Sequence, residues 1–386
     1  MPSDESPGSP VAALTHPDSK QISETEPISD IERYSRQVLF PGIGVEGQQR
    51  LAAAHVAVIG CGAMGAASAS LLARAGVATV TIIDRDFVEP SNLQRQVLFD
   101  EDDARRSLPK AEAARRHIQR FNSGINVHAY IADLVPTNIA ELLAPADILL
   151  DATDNFETRY LLNDYAVREG KPWIYAAAIS AYAATMNILP AHPNEGTAPS
   201  SYSPTACLAC IFPKPPSGNV ATCDTAGILS TAVNLAASIQ VTEALKYLTG
   251  QTQLMRRTLL SFELWNPASA ASLDRAEISA AAPRPGCEVC GQRIFSHLSG
   301  QNRAHITLCG RDSVQIHEHH RPVDFAALRA RLSTHSEIQE VRFNELLLRF
   351  RRGPHTITLF PDGRAIIQGT TDVMLARSLY ARFIGS

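Results

Sequence analysis

A glycine-rich turn between a strand-like and a helix-like segment constrains the fold of this chain more than any other feature. The turn is Gly60-Cys61-Gly62-Ala63-Met64-Gly65, and it joins the apolar run HVAVI to the alanine-rich run GAASASLLARA. Glycine lets the backbone approach a phosphate, and the N-terminus of a helix stabilises negative charge. Asp84 ends the next apolar run, at the spacing of about 20 residues where a carboxylate binds ribose hydroxyls. The pair indicates a nucleotide site; the alternative is a tight strand–helix turn that binds nothing.

The chain around this turn, residues 53–155, alternates between strand-like and helix-like segments. Strands are predicted at HVAVIG, ATVTIID, INVHAYIA and DILLDATD, and helices at GAASASLLARAG, KAEAARRHIQRF and NIAELLAPA. WIYAAAI and ATMNILP continue the strands, and GILSTAVNLAASIQVTEALKYLTG reads as an apolar helix that ends at Gly250. Such alternation predicts an α/β fold, with a Rossmann-like, doubly wound and mostly parallel sheet.

Composition shifts divide the chain into three parts. Residues 1–28 are rich in Ser, Pro, Thr and Glu with few apolar side chains, which predicts a disordered tail. Residues 29–295 form the main domain, including a loop at 191–224 that is long enough to be functional. Residues 300–386 predict a small α+β unit, with strands at HITLCG, VQIHE and the 347–368 hairpins and helices at FAALRARL and DVMLARSLYARFIG. Its role does not follow from the sequence.

The composition also limits the partners of the chain. The net charge is -4 and the pI about 6.3, which gives no electrostatic reason to expect nucleic acid. The start of the chain lacks the basic and apolar regions of a signal peptide. The most apolar stretch, Ala226–Ile239, is too short to span a membrane. We therefore expect a cytoplasmic protein with no nucleic-acid or membrane partner.

Several charged residues lie before or after the predicted strands near the glycine turn. They are Arg36 in RYSRQ, Arg95 in SNLQRQ, Lys110, and Asp154 in DATDN. The pyrophosphate of a dinucleotide can be held by backbone amides, whereas a triphosphate about to be cleaved needs several cations and a metal-binding carboxylate. The set therefore favours ATP over NAD, although each cation alone would read as a solvated surface residue.

Cysteines supply two further signals. Cys207, Cys210, Cys287 and Cys290 form two CxxC pairs, which predict a closed, tetrahedral, structural zinc site that ties the long loop to the end of the main domain. The alternative is four thiols without metal. Cys223 lies in ATCDTAG before a predicted helix, and a thiol at a helix N-terminus has a lowered pKa and is nucleophilic.

Taken together, RYSRQ, GCGAMG, SNLQRQ, Lys110, DATDN and the CxxC pairs resemble the MoeB/ThiF/HesA family of adenylyltransferases, bacterial relatives of ubiquitin-activating enzymes. The resemblance runs in order from Ile31 to Gln292. It implies that Asp84 binds ribose, that Arg95 and Lys110 hold the triphosphate, and that Asp154 binds Mg. It also implies a homodimer in which Arg36 reaches the partner's site. The complete predicted sets are catalytic Arg36, Arg95, Lys110, Asp154 and Cys223, and nucleotide-binding Gly60, Gly62, Ala63, Gly65, Asp84, Asp86, Asn92, Arg95, Lys110, Asp154 and Asn155.

The implied reaction is ATP-dependent adenylation of the C-terminal carboxylate of a MoaD- or ThiS-like sulfur carrier, for molybdopterin or thiamine-thiazole biosynthesis. A sulfurtransferase or cysteine desulfurase is an expected further partner. The family often has Gly-Gly where this chain has Gly62-Ala63, so the added methyl group is expected to crowd the phosphates. Two alternatives are kept: a non-catalytic scaffold of the same fold, and an NAD-dependent oxidoreductase, which would leave the cations and cysteine pairs without a purpose.

Overall fold

The computed structural model of the chain describes residues 29–191, 202–215, 223–265, 274–299, 313–316, 323–343, 347–361 and 363–385. The predicted disordered tail at 1–28 and the predicted strand HITLCG lie outside the described residues. The side chain of Cys223 is also outside them.

The elements of the main domain occupy residues 30–279. Its helices are α1 (Asp30–Arg33), α2 (Ser35–Val38), α3 (Gly44–Leu51), α4 (Ala63–Ala75), α5 (Glu101–Arg105), α6 (Lys110–Phe121), α7 (Ile139–Leu143), α8 (Phe156–Glu169), α9 (Leu208–Ile211), α10 (Cys223–Ala226) and α11 (Ser230–Leu248). Its strands are β1 (His55–Ile59), β2 (Thr79–Ile83), β3 (Asn126–Tyr130), β4 (Ile148–Asp151), β5 (Trp173–Ile179), β6 (Tyr182–Ile188), β7 (Thr258–Glu263) and β8 (Asp274–Ser279). Short 3-10 turns occur at Pro90–Asn92 and Thr252–Leu254.

The eight strands form one sheet in the order β3-β2-β1-β4-β5-β6-β7-β8. The pairings from β3 to β5 are parallel, and those from β5 to β8 are antiparallel. Alternate side chains of β1 enter two separate cores. Val56 and Val58 pack with α4, α6 and α11, whereas Ala57 and Ile59 pack with α7 and α8. Because successive side chains of a strand point to opposite faces, the sheet is covered by helices on both sides, as predicted.

The C-terminal residues form a second, five-stranded antiparallel sheet in the order β10-β11-β12-β13-β9. The strands are β9 (Ser313–Ile316), β10 (Gln339–Phe343), β11 (Leu348–Arg352), β12 (His355–Leu359) and β13 (Ala365–Gln368), and the helices are α12 (Phe325–Leu332) and α13 (Val373–Phe383). Phe350, Ile357 and Phe383 fill its own hydrophobic core. The fold class predicted from the sequence is confirmed.

No helix in the described part of the chain is long and apolar enough to cross a membrane.

Helix α8 was not predicted, and its burial gives the reason: residues 159–167 are all buried, so the segment lacks the amphipathic period that reveals a surface helix.

Candidate nucleotide site and cysteine cluster

Three predicted motifs meet at one edge of the large sheet. The glycine turn follows β1, Asp84 follows β2, and Ala152-Thr153-Asp154 follows β4. These strands are neighbours in the order β2-β1-β4 and run parallel. Their carboxyl ends therefore lie side by side, which is where open α/β sheets bind ligands.

The glycine turn packs directly against the segment that follows β4. Gly60 has a φ of +89°, and a Cβ atom there would lie 2.7 Å from the carbonyl oxygen of Ala152. A Cβ atom on Gly65 would lie 1.9 Å from the carbonyl oxygen of Gly60. In contrast, a Cβ atom on Gly62 would meet nothing within 4 Å. Positions 60 and 65 thus need glycine for the protein's own packing, and Gly62 borders open space.

Ala63, the position that departs from the family pattern, is the first residue of α4. It is partly buried and packs against the cluster that contains Met64 and Ala67. The predicted crowding of phosphates by this methyl group stays a prediction.

Asp84 is fixed by the turn that it faces. Its carboxylate accepts hydrogen bonds from the N–H groups of Cys61 (2.5 Å) and Asp86 (2.7 Å). Burial raises the pKa of Asp84; the charge of Lys110 opposes this rise, and Asp86 adds to it. The carboxylate is therefore oriented beside the glycine turn before any ligand arrives.

Lys110 is the first residue of α6 and is buried. Its Nζ atom lies 3.1 Å from Oδ2 of Asp86, and its backbone N–H donates to the carbonyl oxygen of Asp86 at 2.9 Å. Arg85, the residue before Asp86, donates from Nη1 to Oδ1 of Asp133 at 2.7 Å, and its Nε lies 3.8 Å from Oδ1 of Asp86. The charges of Asp133, Asp86 and Asp154 raise the pKa of Arg85 against the effect of burial. Sequence reasoning missed Arg85 and Asp133, since neither lies in a recognised motif.

The DATDN segment is built on a buried ion pair. Oδ1 of Asp151 accepts from the N–H (2.9 Å) and the hydroxyl (2.7 Å) of Thr153, and Oδ2 lies 3.2 Å from Nε of Arg159. Burial raises the pKa of Asp151, and the charge of Arg159 opposes this shift. Arg159 also donates to the carbonyl oxygen of Thr153 at 2.5 Å. Asp154 is left exposed at the surface of the edge.

Asn155, Asn92 and Arg95 have local hydrogen-bonding partners. Asn155 is the N-cap of α8, and its Oδ1 accepts the N–H of Thr158 at 2.8 Å. Asn92 is buried, and its Oδ1 accepts the N–H of Glu89 at 3.1 Å. Arg95 donates from Nη1 to the carbonyl oxygen of Ser91 at 2.8 Å. The roles predicted for these three residues toward a nucleotide stay predictions.

A further residue that sequence reasoning missed is Gln240, a fully buried amide on α11. Its Nε2 donates to the carbonyl oxygens of Asp151 and Ile174 at 2.8 Å each, and its Oε1 accepts from Ser68 at 3.2 Å. Gln240 thereby joins α4, β4 and β5 under the candidate site. Its only signal in the sequence was a polar amide within an apolar helical run, a signal that it shares with Asn234 of the same helix.

Arg36 does not lie near its own chain's glycine turn. It is exposed on α2, and the next residue, Gln37, donates to the carbonyl oxygen of Ala75 at 2.7 Å. Ala75 ends α4, whereas Ala63 begins it beside the turn. A rise of 1.5 Å per residue separates the two ends of α4 by about 18 Å.

The four predicted zinc ligands come together in the structure. The Sγ–Sγ distances are 3.7 Å for Cys207–Cys210, 3.7 Å for Cys207–Cys287 and 3.4 Å for Cys210–Cys290. A disulfide requires about 2.05 Å, while four sulfurs around a zinc ion at about 2.3 Å stand about 3.8 Å apart. The cluster can therefore hold a metal ion.

The surroundings of the cluster also suit a metal site. The backbone N–H of Arg284 donates to Sγ of Cys210 at 3.2 Å, as second-sphere donors do at metal centres. A Cβ atom on Gly291 would lie 2.7 Å from the carbonyl oxygen of Cys287, so the tight second knuckle needs glycine there. Cys223, the remaining predicted site cysteine, begins the four-residue helix α10, and its thiol lies outside the described residues.

Comparison with known proteins identifies the class. The chain matches the ThiF family over residues 34–289. It is 43% identical to the sulfur carrier protein ThiS adenylyltransferase of Bacillus subtilis, over 92% of this chain and 99% of the relative. It is 38% identical to a sulfur carrier protein adenylyltransferase of Thermus thermophilus, over 68% of this chain and 91% of the relative. A crystal structure of E. coli MccB with succinimide superimposes with a TM-score of 0.54 at 25% identity, covering 67% of this chain and 74% of that one. The chain belongs to the ThiF family.

Proposed function

We propose that this adenylyltransferase uses ATP to activate the C-terminal carboxylate of a ThiS-like sulfur carrier protein as an acyl adenylate. The observation that carries the proposal is the meeting of the glycine turn, Asp84, Lys110 and Asp154 at one sheet edge. The likeness to the ThiS adenylyltransferase, which spans nearly all of that relative, favours a ThiS-like over a MoaD-like carrier. Membership of the family leaves the oxidoreductase alternative without support.

The chemistry needs no general base. The carrier carboxylate is already ionised near pH 7. One of its oxygens forms a bond to the α-phosphorus of ATP, the bond from that phosphorus to the bridging β-phosphate oxygen breaks, and pyrophosphate leaves with the electron pair. Catalysis then consists of positioning and charge neutralisation.

The residues at the edge divide this work. The N–H groups of the glycine turn and the start of α4 would bind phosphate oxygens. The carboxylate of Asp84 would accept hydrogen bonds from the ribose hydroxyls, and Lys110 and Arg95 would neutralise the negative charge of the phosphates. Asp154 fits a Mg ion, since its exposed carboxylate supplies the hard oxygen ligand that Mg prefers. Bound Mg supplies charge neutralisation of the triphosphate.

The four-cysteine cluster fits zinc by its donor set and its sulfur spacing. Four thiolates leave no open coordination position, so zinc here would be structural. It would tie residues 207–210 to 287–290 and stabilise the main domain, proposed to span 29–295.

The terminal sulfur of a donor's cysteine persulfide would attack the acyl adenylate, displace AMP and form an acyl disulfide on the carrier. A thiol would then attack the sulfur of the donor cysteine, break the S–S bond to release the carrier thiocarboxylate, and form a disulfide with the donor. A sulfurtransferase or cysteine desulfurase is the proposed donor. Cys223 remains the candidate thiol of this chain for that step.

Cytoplasmic localisation also stays a prediction.

We also propose a homodimer in which Arg36 serves the partner subunit's site. The separation of about 18 Å along α4 places Arg36 beyond the reach of its own glycine turn. Ile31, Leu39, Phe40 and Val45 flank it as large, exposed apolar side chains, and clustered exposed apolar surface is typical of interfaces.

Pyrophosphate–ATP exchange tests the adenylation. Wild-type protein is assayed alone, with a ThiS-like carrier, with a MoaD-like carrier, and with the ThiS-like carrier amidated at its C-terminus. Exchange that requires the free carboxylate is the expected result. A chain that binds ATP but gives no exchange with any carrier would favour the scaffold alternative.

Subunit mixing tests the shared site. Arg36→Ala and Asp154→Ala proteins, each inactive alone, are combined under conditions of demonstrated subunit exchange. Mixed dimers contain one site with both residues intact, so partial activity should return. Absence of recovery would place Arg36 outside the partner's site.

A further inference from the structure

The C-terminal unit contacts the main domain next to the candidate nucleotide site. Arg364 precedes β13, and its Nη2 donates to the carbonyl oxygen of Ile131 at 2.8 Å. Its Nη1 lies 3.6 Å from Oδ2 of Asp133. The buried side chains of Phe360 and Ile366 pack against Ile131 at the same place. Ile131 and Asp133 directly follow β3, so the contact lies at the carboxyl edge of the large sheet.

A second contact lies still closer to Lys110. The guanidinium of Arg349, on β11, stands 4.5 Å from the ring centroid of Phe87, within the range of a cation–π interaction. Phe87 is buried, follows Asp86, and pairs with Pro109 in an isolated antiparallel bridge. Burial lowers the pKa of Arg349, and the charge of Glu89 opposes this shift. The C-terminal unit therefore covers the segments that carry both Asp86 and Lys110.

Alternating charges connect this contact to the site. Arg364 faces Asp133, Asp133 accepts from Arg85, Arg85 lies near Asp86, and Asp86 faces Lys110. Arg85 lies 2.7 Å from Asp133 but 3.8 Å from Asp86. Asp133 is thus the nearer partner of Arg85, Asp86, the partner of Lys110, is the more distant one, and the charge of Asp154 also acts on Arg85.

We propose that the C-terminal unit is part of the nucleotide site: Arg364 positions Asp133, and Asp133 competes with Asp86 and Asp154 for the guanidinium of Arg85, so that docking of the unit and binding of ATP are coupled. Arg364 and Asp133 are positioning residues, and neither is assigned a contact with the substrate. The inference rests on the proposed function in one respect, namely that ATP binds at this edge.

The coupling has a defined physical consequence. Without the carboxylate of Asp133, the Arg85 guanidinium pairs with Asp86 and Asp154, competes with Lys110, and neutralises the carboxylate assigned to Mg. Affinity for Mg–ATP falls. Because coupling between two binding events is reciprocal, ATP must also stabilise the docked position of the C-terminal unit.

Direct binding of Mg–ATP to the full-length chain tests this by calorimetry without any carrier. Asp133→Asn and Arg364→Met are each expected to raise the Kd by at least about fivefold, the lower end of typical coupling factors. The double variant should have a Kd for Mg–ATP no higher than that of the weaker-binding single variant, because both changes act through Arg85. Arg351→Met is the matched control, because this exposed arginine of the same sheet pairs with Gln339 and Glu340 within the C-terminal unit.

Hydrogen exchange gives a readout that a purely structural role would not move. ATP should slow amide exchange in β13 of the wild-type chain and of Arg351→Met, but not of Arg364→Met. Asp133→Asn lies outside the core of the C-terminal unit, so it tests the coupling even where Arg364→Met is poorly folded.

The outcomes separate this inference from the proposed function. Unchanged Kd in Asp133→Asn, or an equal rise in Arg351→Met, overturns the coupling and leaves adenylation standing. Coupled ATP binding without carrier-dependent exchange supports the inference and overturns the carrier activity. A wild-type chain that binds no ATP overturns both.

Discussion

The nucleotide edge and the cysteine cluster are built in opposite ways. At the edge, short motifs follow neighbouring parallel strands, and the side chains of Asp154 and Asp84 remain wholly or partly accessible, although Lys110 is buried. The cluster joins two segments about 80 residues apart, and Cys207 and Cys287 belong to the same hydrophobic core as Leu208 and Val289.

This difference separates chemistry from stability. Groups at the edge are positioned by strands and glycines and are not themselves required to fill the core. The cysteines are part of the core, so a metal held by them contributes directly to the free energy of folding. Changes at the edge should therefore lower the rate, and changes at the cluster should lower the melting temperature.

The largest effect is expected from removing a cysteine ligand. Structural zinc sites bind with apparent free energies of about 10–16 kcal/mol in peptides, and Cys287 is fully buried. Cys287→Ser should lose the metal and show a large drop in Tm, as should chelation of the wild-type protein. Metal analysis and calorimetry provide the measurement.

Cys61→Ala is the control for this change, since Cys61 is equally buried but lies in the glycine turn. It should retain one zinc per chain and most of the stability. A fully folded wild-type preparation without zinc would contradict the proposed metal site. It would also contradict the proposed contribution of the cysteine cluster to stability through a bound metal.

The next effect concerns rate alone. Asp154→Ala and Arg95→Ala should each reduce pyrophosphate exchange by about a hundredfold or more, the usual loss for one charge-stabilising contact. Asp154 is exposed and Arg95 half-buried, so Tm should stay close to that of the wild type. Glu141→Ala, at an exposed position on α7, controls for the loss of a surface charge. Near-normal exchange in either variant would mean that the active site has been misplaced.

Two glycines of one turn sharpen the comparison within the edge itself. Gly65→Ala places a methyl group 1.9 Å from the Gly60 carbonyl oxygen and should cost about 1–3 kcal/mol, as overpacking does. Gly62→Ala meets no protein atom within 4 Å, so Tm should be preserved while the Kd for ATP rises. Equal Tm values for the two variants would contradict the close packing of position 65 against the carbonyl oxygen of Gly60.

The smallest effect is expected at Asn155. Because its side chain caps α8, Asn155→Ala should cost about 1 kcal/mol of stability. Asp372→Ala, which removes the equivalent cap of α13, is the matched control. A tenfold loss of ATP affinity without a change in Tm would instead assign Asn155 to the nucleotide.

The sequence determined the elements whose physical signals are local. Helices at Lys110–Phe121 and Phe325–Leu332 and the strand Trp173–Ile179 have the predicted bounds, because their apolar patterns and flanking residues are self-contained. The α/β fold was predicted from the alternation of strand-like and helix-like segments, and the family and the adenylyltransferase class from the resemblance of the motifs to a known family; all three are confirmed. The glycine turn and the CxxC pairs were visible because each is a short contiguous motif.

Tertiary structure decided what depends on distant partners. Gln240 and Arg159 support the site through contacts with residues of other elements, and no period or motif marks a buried polar residue of this kind. The placement of Arg364 beside Asp133 joins residues 231 positions apart and gives the C-terminal unit a position that its own sequence did not reveal. Local patterns report which face of a segment is apolar, whereas the pairing of buried charges is fixed only when the strands have been brought into their final order.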